Sequence, residues 1–288
     1  MENSAKKVIM ISGANRGIGR SITEKLLSEN YRLSLGVRNP EQLPETLASA
    51  AETVLLCQEY DARNHDSAKT WIDATVKQFG RIDGLVNNAG ILHATGLEDD
   101  EEDFLDDMWE VNAKAPLRLT RLAFPYLRKS GSGRIIDIIS MSGKRVKGNL
   151  VGYSMSKFAA MAASHAARLQ GWDDGIRVTA ICPGYVRTDM TAEVKTFEQE
   201  KMSRPEDIAQ IVNTLLLLPN ESVVQEVMMN CVFETHLITE VILICLIGCM
   251  LYNQRPRKYP YLTVCFRNSS NKLSSKLMDK MSFKYFQY

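Results

Sequence analysis

The chain has 288 residues, 45% of them hydrophobic and 24% charged, enough for a sizeable core in one large α/β domain or two small ones. A net charge of +1 argues against a chain-wide electrostatic grip on nucleic acid, so no nucleic-acid partner is expected. Six cysteines without a CxxC pair, and only four histidines, argue against a zinc site or a disulfide framework, so no metal is expected.

The run before Gly13 is too short in apolar residues for a secretory signal, and the chain reads as a cytoplasmic, reduced protein. The charge is uneven. From Tyr252 onward eight Lys/Arg stand against one Asp, a net of +7, which leaves residues 1–251 at −6. Two parts with different physics therefore join near residue 235.

In chain order, Val8 to Ser12 is a short apolar run ended by glycines. Gly17 to Asn30 follows with helical spacing of Ile18, Ile22, Leu26 and Leu27. Leu33 to Val37 and Thr53 to Cys57 are the second and third strands. Ser67 to Phe79 is a helix and Ile82 to Val86 the fourth strand. A long helix is predicted over about Phe104 to Lys129, and a fifth strand over Arg134 to Ser140. An Ala-rich helix spans about Val151 to Trp172, and Ile176 to Cys182 is the sixth strand. Pro205 to Leu218 is a helix opened by proline with acidic residues in its first turn, and Val223 to Met229 is the seventh strand.

Strands and helices alternate, and the strands read as apolar runs. That pattern predicts a doubly wound α/β fold: a Rossmann-like parallel sheet of about seven strands with helices on both faces. Ligands of such sheets sit outside the carboxyl ends of the strands, so those ends hold the candidate site.

After the first strand stands Ser12-Gly13-Ala14-Asn15-Arg16-Gly17-Ile18-Gly19. Glycines let the backbone turn tightly and let a pyrophosphate approach a helix N-terminus, although such a stretch also serves as a plain loop. At the end of the second strand an NAD site would carry an acidic residue for the ribose 2′-OH. Arg38 stands there instead, with Arg16 inside the turn. Two guanidiniums suit a 2′-phosphate dianion, and the alternative is two exposed surface arginines. Asp61, after the third strand, suits the adenine amino group or, equally, a loop or helix-cap role. Asn88, Ala89 and Gly90 end the fourth strand, where small and amide-bearing residues line a cofactor groove or make a simple turn.

The fifth strand ends at Ser140, and Tyr153 and Lys157 follow four apart on a helix, on one face. A free phenol with a pKa near ~10 is a poor base at neutral pH, and a neighbouring ammonium favours its ionised form. Tyr153 is thus placed to give a proton to a carbonyl oxygen as hydride arrives, or to take it back, with Ser140 holding the same oxygen.

SGANRGIG, NNAG, the Ser140–Tyr153–Lys157 spacing and Pro183-Gly184 resemble, in order and with appropriate gaps, the short-chain dehydrogenase/reductase family over about residues 5–231. The resemblance implies Tyr153 as catalytic acid/base, and Lys157 lowering the phenol pKa and binding the nicotinamide ribose. It implies Ser140 orienting the substrate oxygen and Asn112 supporting a water-mediated proton relay. It places Gly13, Asn15, Arg16, Gly17, Ile18, Gly19, Arg38, Asp61, Asn88, Ala89 and Gly90 on the cofactor, and Pro183, Gly184 and Thr188 against the nicotinamide. The two arginines match the family's preference for NADP(H) over NAD(H). The substrate implied is a small carbonyl or alcohol compound, and the assembly a homo-oligomer.

Some features depart from the family. Ser12 stands for the usual threonine, and Asp137 stands in the fifth strand where asparagine is frequent. The stretch from Met190 to Ser203 is short, which predicts a small lid and an open site.

Residues 1–235 are expected to be the catalytic domain, 236–252 an apolar segment, and 253–288 a basic, disordered tail. Val241 to Leu251 is eleven unbroken apolar residues, short of the ~20 that a spanning helix needs. The bases Arg255, Arg257 and Lys258 that follow favour the cytosolic side, which conflicts with a catalytic domain lacking a signal. Membrane association through 237–251 is therefore an alternative and is not favoured. A non-catalytic NADP(H)-binding regulator on the same fold is the other alternative. It would be favoured by a lost tyrosine or lysine, and both are present.

Overall fold

In the computed structural model, which describes residues 6–195 and 197–232, seven strands pair side by side and all in parallel. They are β1 (Val8–Ser12), β2 (Arg32–Val37), β3 (Leu55–Glu59), β4 (Gly84–Asn87), β5 (Arg134–Ile138), β6 (Arg177–Pro183) and β7 (Glu226–Met229). The order across the sheet is β3-β2-β1-β4-β5-β6-β7. The helices are α1 (Gly17–Ser28), α2 (Glu45–Ala48), α3 (His65–Phe79), α4 (Glu102–Trp109), α5 (Ala115–Ser130), α6 (Val151–Gly171) and α7 (Pro205–Leu217). The expected doubly wound fold is what forms.

The side-chain period of two sorts each strand onto two cores. Ile9 and Ile11 of β1, Val86 of β4 and Ile136 of β5 join Ile22 and Leu26 of α1 and Ile208 and Val212 of α7. Met10, Leu85 and Ile135, one residue out of phase, join Trp71 of α3, Leu119 and Leu127 of α5 and Ala167 of α6. A side chain of Leu or Ile size buried this fully contributes about 1.5–3 kcal/mol, so the two cores hold the sheet rigid beneath its loops. Burial on both faces holds for the central strands. It fails at the edge strands β3 and β7, which are only partly covered.

The sheet order reverses between β1 and β4, each with its next neighbour on the opposite side. Crossovers leave this point in opposite directions and open a crevice above the strand ends. Ser12, Asn88 and Gly90 lie at that crevice.

Several boundaries differ from expectation. The third strand begins at Leu55 rather than Thr53, and the seventh is confined to Glu226–Met229. The single long helix expected over 104–129 is α4 and α5 joined by a π-helical turn, Glu110–Lys114. Pro116 has no N–H to donate to the carbonyl four residues back, which opens the helix just there. That turn carries Asn112. The apolar segment 236–252 and the basic tail 253–288 lie outside the described residues. Among the described residues no helix is long and apolar enough to cross a membrane.

Candidate active site

The turn after β1 is built by two devices. Gly13 and Gly17 adopt positive φ, 65° and 52°, where a β-carbon is strained. Gly19 permits contact: a Cβ there would sit 2.1 Å from the Gly13 carbonyl oxygen and 2.5 Å from Asn88 Nδ2. The Ser12 hydroxyl accepts the N–H groups of Asn88 and Ala89, both at 3.0 Å. Asn88 Nδ2 in turn donates to the carbonyls of Ser12 (2.9 Å) and Gly13 (3.1 Å). The turn and the end of β4 are thereby one unit, and Ser12 does the tying expected of a threonine hydroxyl. Helix α1 has no acidic residue in its first turn, so its N-terminal dipole faces the groove uncompensated.

The groove runs from this turn in two directions. One arm, of about 550 Å³, is lined by Asn15, Arg16, Arg38, Tyr60, Asp61 and Arg63. Both arginines expected on the cofactor stand exposed here, and Arg16 Nη1 lies 3.5 Å from Asp189 Oδ2. Asp61 accepts the Arg63 N–H at 3.0 Å, while Asn64 caps α3, so of its two structural readings Asp61 takes the loop role. Arg63 escaped sequence reasoning. Its guanidinium makes a two-pronged bond to Asp107 of α4 at 2.6 and 2.8 Å, which ties this arm to the far wall. Its position two residues past Asp61 was the signal available.

The other arm, of about 840 Å³, is lined by Gly17, Ile18, Gly90, Ser140, Tyr153, Lys157, Pro183, Gly184 and Thr188. Thr188 Cγ2 sits 3.3 Å from where a Gly17 Cβ would be, so the 184–191 segment closes down on the glycine turn. Tyr185 stacks on Phe197 at 5.7 Å, and this pair stands where a small lid was expected.

Helix α6 is set by its first turn, where the N–H groups of Val151 and Gly152 both reach the Thr95 carbonyl, at 2.9 and 3.3 Å. Tyr153 and Lys157 then share its buried face, 6% and 5% exposed. Lys157 Nζ donates to the Ile138 carbonyl at 3.2 Å and lies 5.8 Å from the centre of the Tyr153 ring. Burial pushes the Tyr153 phenol up to about 12, and the Ser140 hydroxyl facing it works the other way. Burial pushes Lys157 down to about 8, opposed by the Cys182 thiol and Asp137. The expected lowering of the phenol pKa by the lysine is not the dominant effect. The ammonium sits over the ring rather than against the oxygen, and desolvation of the phenolate outweighs it.

Asn112 uses its whole amide on the protein. Its Oδ1 accepts the Ile91 N–H at 2.9 Å, and its Nδ2 donates to the Ile91 carbonyl (2.9 Å) and Ser156 Oγ (3.0 Å). It therefore fixes the strand of backbone beside Lys157 and acts through position. Asp137, unexplained by sequence, is buried and accepts a 2.8 Å bond from Asn87 Nδ2. Among the described residues no cluster of His, Cys, Asp or Glu is arranged to hold a metal.

The family model for short chain dehydrogenase matches residues 7–199. An agropine synthesis reductase of Rhizobium rhizogenes is 40% identical over 229 residues, 79% of this chain and 53% of that protein. The chain thus spans about half the length of that relative. An uncharacterized oxidoreductase of Staphylococcus saprophyticus is 33% identical over 237 residues, 78% of this chain and 96% of its own. Among solved structures, an alcohol dehydrogenase from the archaeon Thermococcus sibiricus, complexed with 5-hydroxy-NADP, superposes with a TM-score of 0.71 at 28% identity. It covers 80% of this chain and 98% of that one.

Proposed function

The chain belongs to the short-chain dehydrogenase family, whose members are oxidoreductases of CH–OH and C=O groups, and on that premise we propose that it moves hydride between NADP(H) and a small carbonyl or alcohol substrate with Tyr153 as acid/base. The observation that carries this reading is the placement of Ser140, Tyr153 and Lys157 at one end of a groove whose other end bears Arg16 and Arg38.

The groove fits a dinucleotide phosphate. The space that a Gly19 Cβ would fill lets the turn close tightly, and the α1 N-terminus is free of acidic side chains. Gly13, Asn15 and Ile18 would hold the pyrophosphate, Arg16 and Arg38 the 2′-phosphate, and Asp61 the adenine. Lys157 would take the ribose hydroxyls, and Pro183, Gly184 and Thr188 the nicotinamide. When bound, NADPH supplies the hydride. Tyr153 gives its phenolic proton to the substrate oxygen as that oxygen gains charge, and takes it back in the reverse direction. Ser140 donates a hydrogen bond to the same oxygen and holds it at the phenol. The Lys157 ammonium, over the face of the ring rather than against the oxygen, stabilises negative charge on Tyr153 less than direct contact would.

The regulator alternative would be favoured by a lost tyrosine or lysine, and both Tyr153 and Lys157 are in place. The site lies wholly within residues 1–235, the proposed catalytic domain. On α6, Met155 (55% exposed), Phe158 (45%) and Leu169 (81%) form a helical apolar stripe that suits association with a second copy. Ala160 and Ala167 of the same helix are buried within the subunit.

The test is oxidation of NADPH and NADH by the full chain across aldehydes, ketones, diketones and keto acids. Turnover preferring NADPH supports the reading. Folded protein that binds neither nucleotide contradicts it.

A further inference from the structure

Behind Lys157, on the side away from the groove, is a small cavity with room for about one water molecule. Asp137, Asn87, Asn112, Lys157 and Ser164 line it. Two buried polar atoms there, Asn87 Oδ1 and Ser164 Oγ, have no hydrogen-bond partner. Such atoms are normally satisfied, and an ordered water is the usual means. Asp137 and Lys157 are both buried, and no ion pair within 4.0 Å joins them among the described residues. Two opposite buried charges facing one polar cavity are each costly alone and tolerable together.

We propose that Asp137 is a positioning residue for Lys157, its carboxylate holding the lysine in the ammonium form across this cavity. The inference deepens the proposed acid/base reading and rests on it for its catalytic consequence.

The groups around the pair favour this arrangement. Burial pushes the Asp137 carboxyl up, and three neighbours oppose it: the 2.8 Å bond from Asn87, the nearby Ser164 hydroxyl and the charge of Lys157. The Ser164 hydroxyl stands near Asp137 but outside hydrogen-bond geometry, which leaves it free to bind a water instead. On Lys157, burial acts downward while Cys182 and Asp137 act upward. From β6 the Cys182 thiol faces the lysine, and burial pushes it up to about 11, so it is neutral at physiological pH. The charges of Lys144 and Glu226 stand beyond it, paired to each other. From β5 the lysine meets Asp137 and the Ile138 carbonyl, and the π turn offers only the neutral Asn112. Among the described residues Asp137 is thus the one carboxylate placed to hold the ammonium. An asparagine in its place would keep the acceptor for Asn87 and lose the charge.

The experiment is a titration of Lys157 by NMR of lysine labelled with carbon-13 at the ε-methylene, its signal assigned by loss in Lys157→Met. The wild type is compared with Asp137→Asn and with the smaller Asp137→Ser. Thermal melting of each is recorded alongside. The proposal expects Lys157 to titrate lower by about one pH unit or more in both variants. It expects Asp137→Asn to melt no lower than the wild type, since the new amide can donate toward Asn87 Oδ1. It also expects the lysine-linked limb of the turnover profile to move to lower pH in both variants, because the ammonium loses its negative neighbour. An unmoved Lys157 titration in a folded variant overturns the proposal, as does a melting loss with no change in titration, which marks Asp137 as structural only. Tyr153→Phe separates the two readings. If that variant keeps turnover while Asp137→Asn still shifts Lys157, the acid/base assignment fails and the coupling stands.

Discussion

At the arginine end of the groove the charged groups stand in water, with Arg16 62% and its partner Asp189 73% exposed, and Arg38 exposed as well. At the tyrosine end Tyr153 and Lys157 are 6% and 5% exposed, Lys157 bonded to the Ile138 carbonyl of β5 and Tyr153 facing the Ser140 hydroxyl just beyond that strand. The first end can recognise charge with little structural cost. Its contribution is screened by salt and is adjustable one residue at a time. The second end carries strongly desolvated ionisable groups whose states depend on one another, so a change there alters chemistry and stability together. One groove thus separates selectivity from reactivity.

The largest expected break in this contrast is Tyr153→Phe. It should lower kcat by roughly 10²- to 10⁴-fold, the usual worth of a positioned acid/base. Nucleotide binding, measured by fluorescence, should survive. Next is Gly19→Ala. Its methyl would meet the Gly13 carbonyl at 2.1 Å, and overpacking of that kind costs about 1–3 kcal/mol or more. A lowered melting temperature together with lost nucleotide binding is expected.

Arg38→Ala probes the exposed end. Loss of one charge-assisted hydrogen bond, about 1.5–3 kcal/mol, should raise KM for NADPH by roughly ten- to a hundredfold, leave NADH unchanged and flatten the salt dependence. A change that falls equally on NADPH and NADH would break the division between the ends.

Lys157→Met sharpens the comparison through pH. Burial holds Lys157 at about 8 in the fold against 10.5 unfolded, so the unfolded chain binds the proton more tightly between those values. The wild-type lysine therefore carries a stability penalty that is complete below about 8 and is relieved as the pH rises toward 10.5. Methionine should remove turnover and relieve this penalty, but it leaves the Asp137 carboxylate without its buried partner, so no net gain in melting temperature is expected at pH 7, and the wild type should gain stability relative to the variant as the pH rises from 8 toward 10.5.

The smallest effect is expected from Asp107→Asn. The partly exposed two-pronged pair with Arg63 should be worth about 0.5–1 kcal/mol. The Arg63 guanidinium holds the Asp107 carboxyl below its ordinary 3.8, so this contribution is present above that pH and is lost as the pH falls through the folded value.

What the sequence made legible follows the same division of range. Glycine spacing after β1 and the four-residue step from Tyr153 to Lys157 are local patterns, readable because helix geometry alone puts such residues together. The parallel sheet was readable from apolar runs, because both faces of a central strand are covered. Edge strands lack that signal, and β3 and β7 were misplaced by a few residues. Asp137 was visible as an oddity but not as a partner of Lys157, since Lys157 lies 20 positions further on, beyond the connection from β5 to α6. Arg63 and the Asn112 amide act through contacts with α4 and with Ile91 that no local periodicity encodes. The opening of the helix at Asn112 was signalled by Pro116, a residue that the apolar period passes over.

The most direct test of the account uses NADPH carrying deuterium on the transferred position of the nicotinamide, with the full chain and the best carbonyl substrate from the panel. The account predicts deuterium on the former carbonyl carbon of the product in the wild type, and transfer slowed by roughly a hundredfold or more in Tyr153→Phe at matched nucleotide occupancy. Label transfer that is undiminished in Tyr153→Phe, or a wild type that binds NADPH and reduces no carbonyl offered, would contradict it.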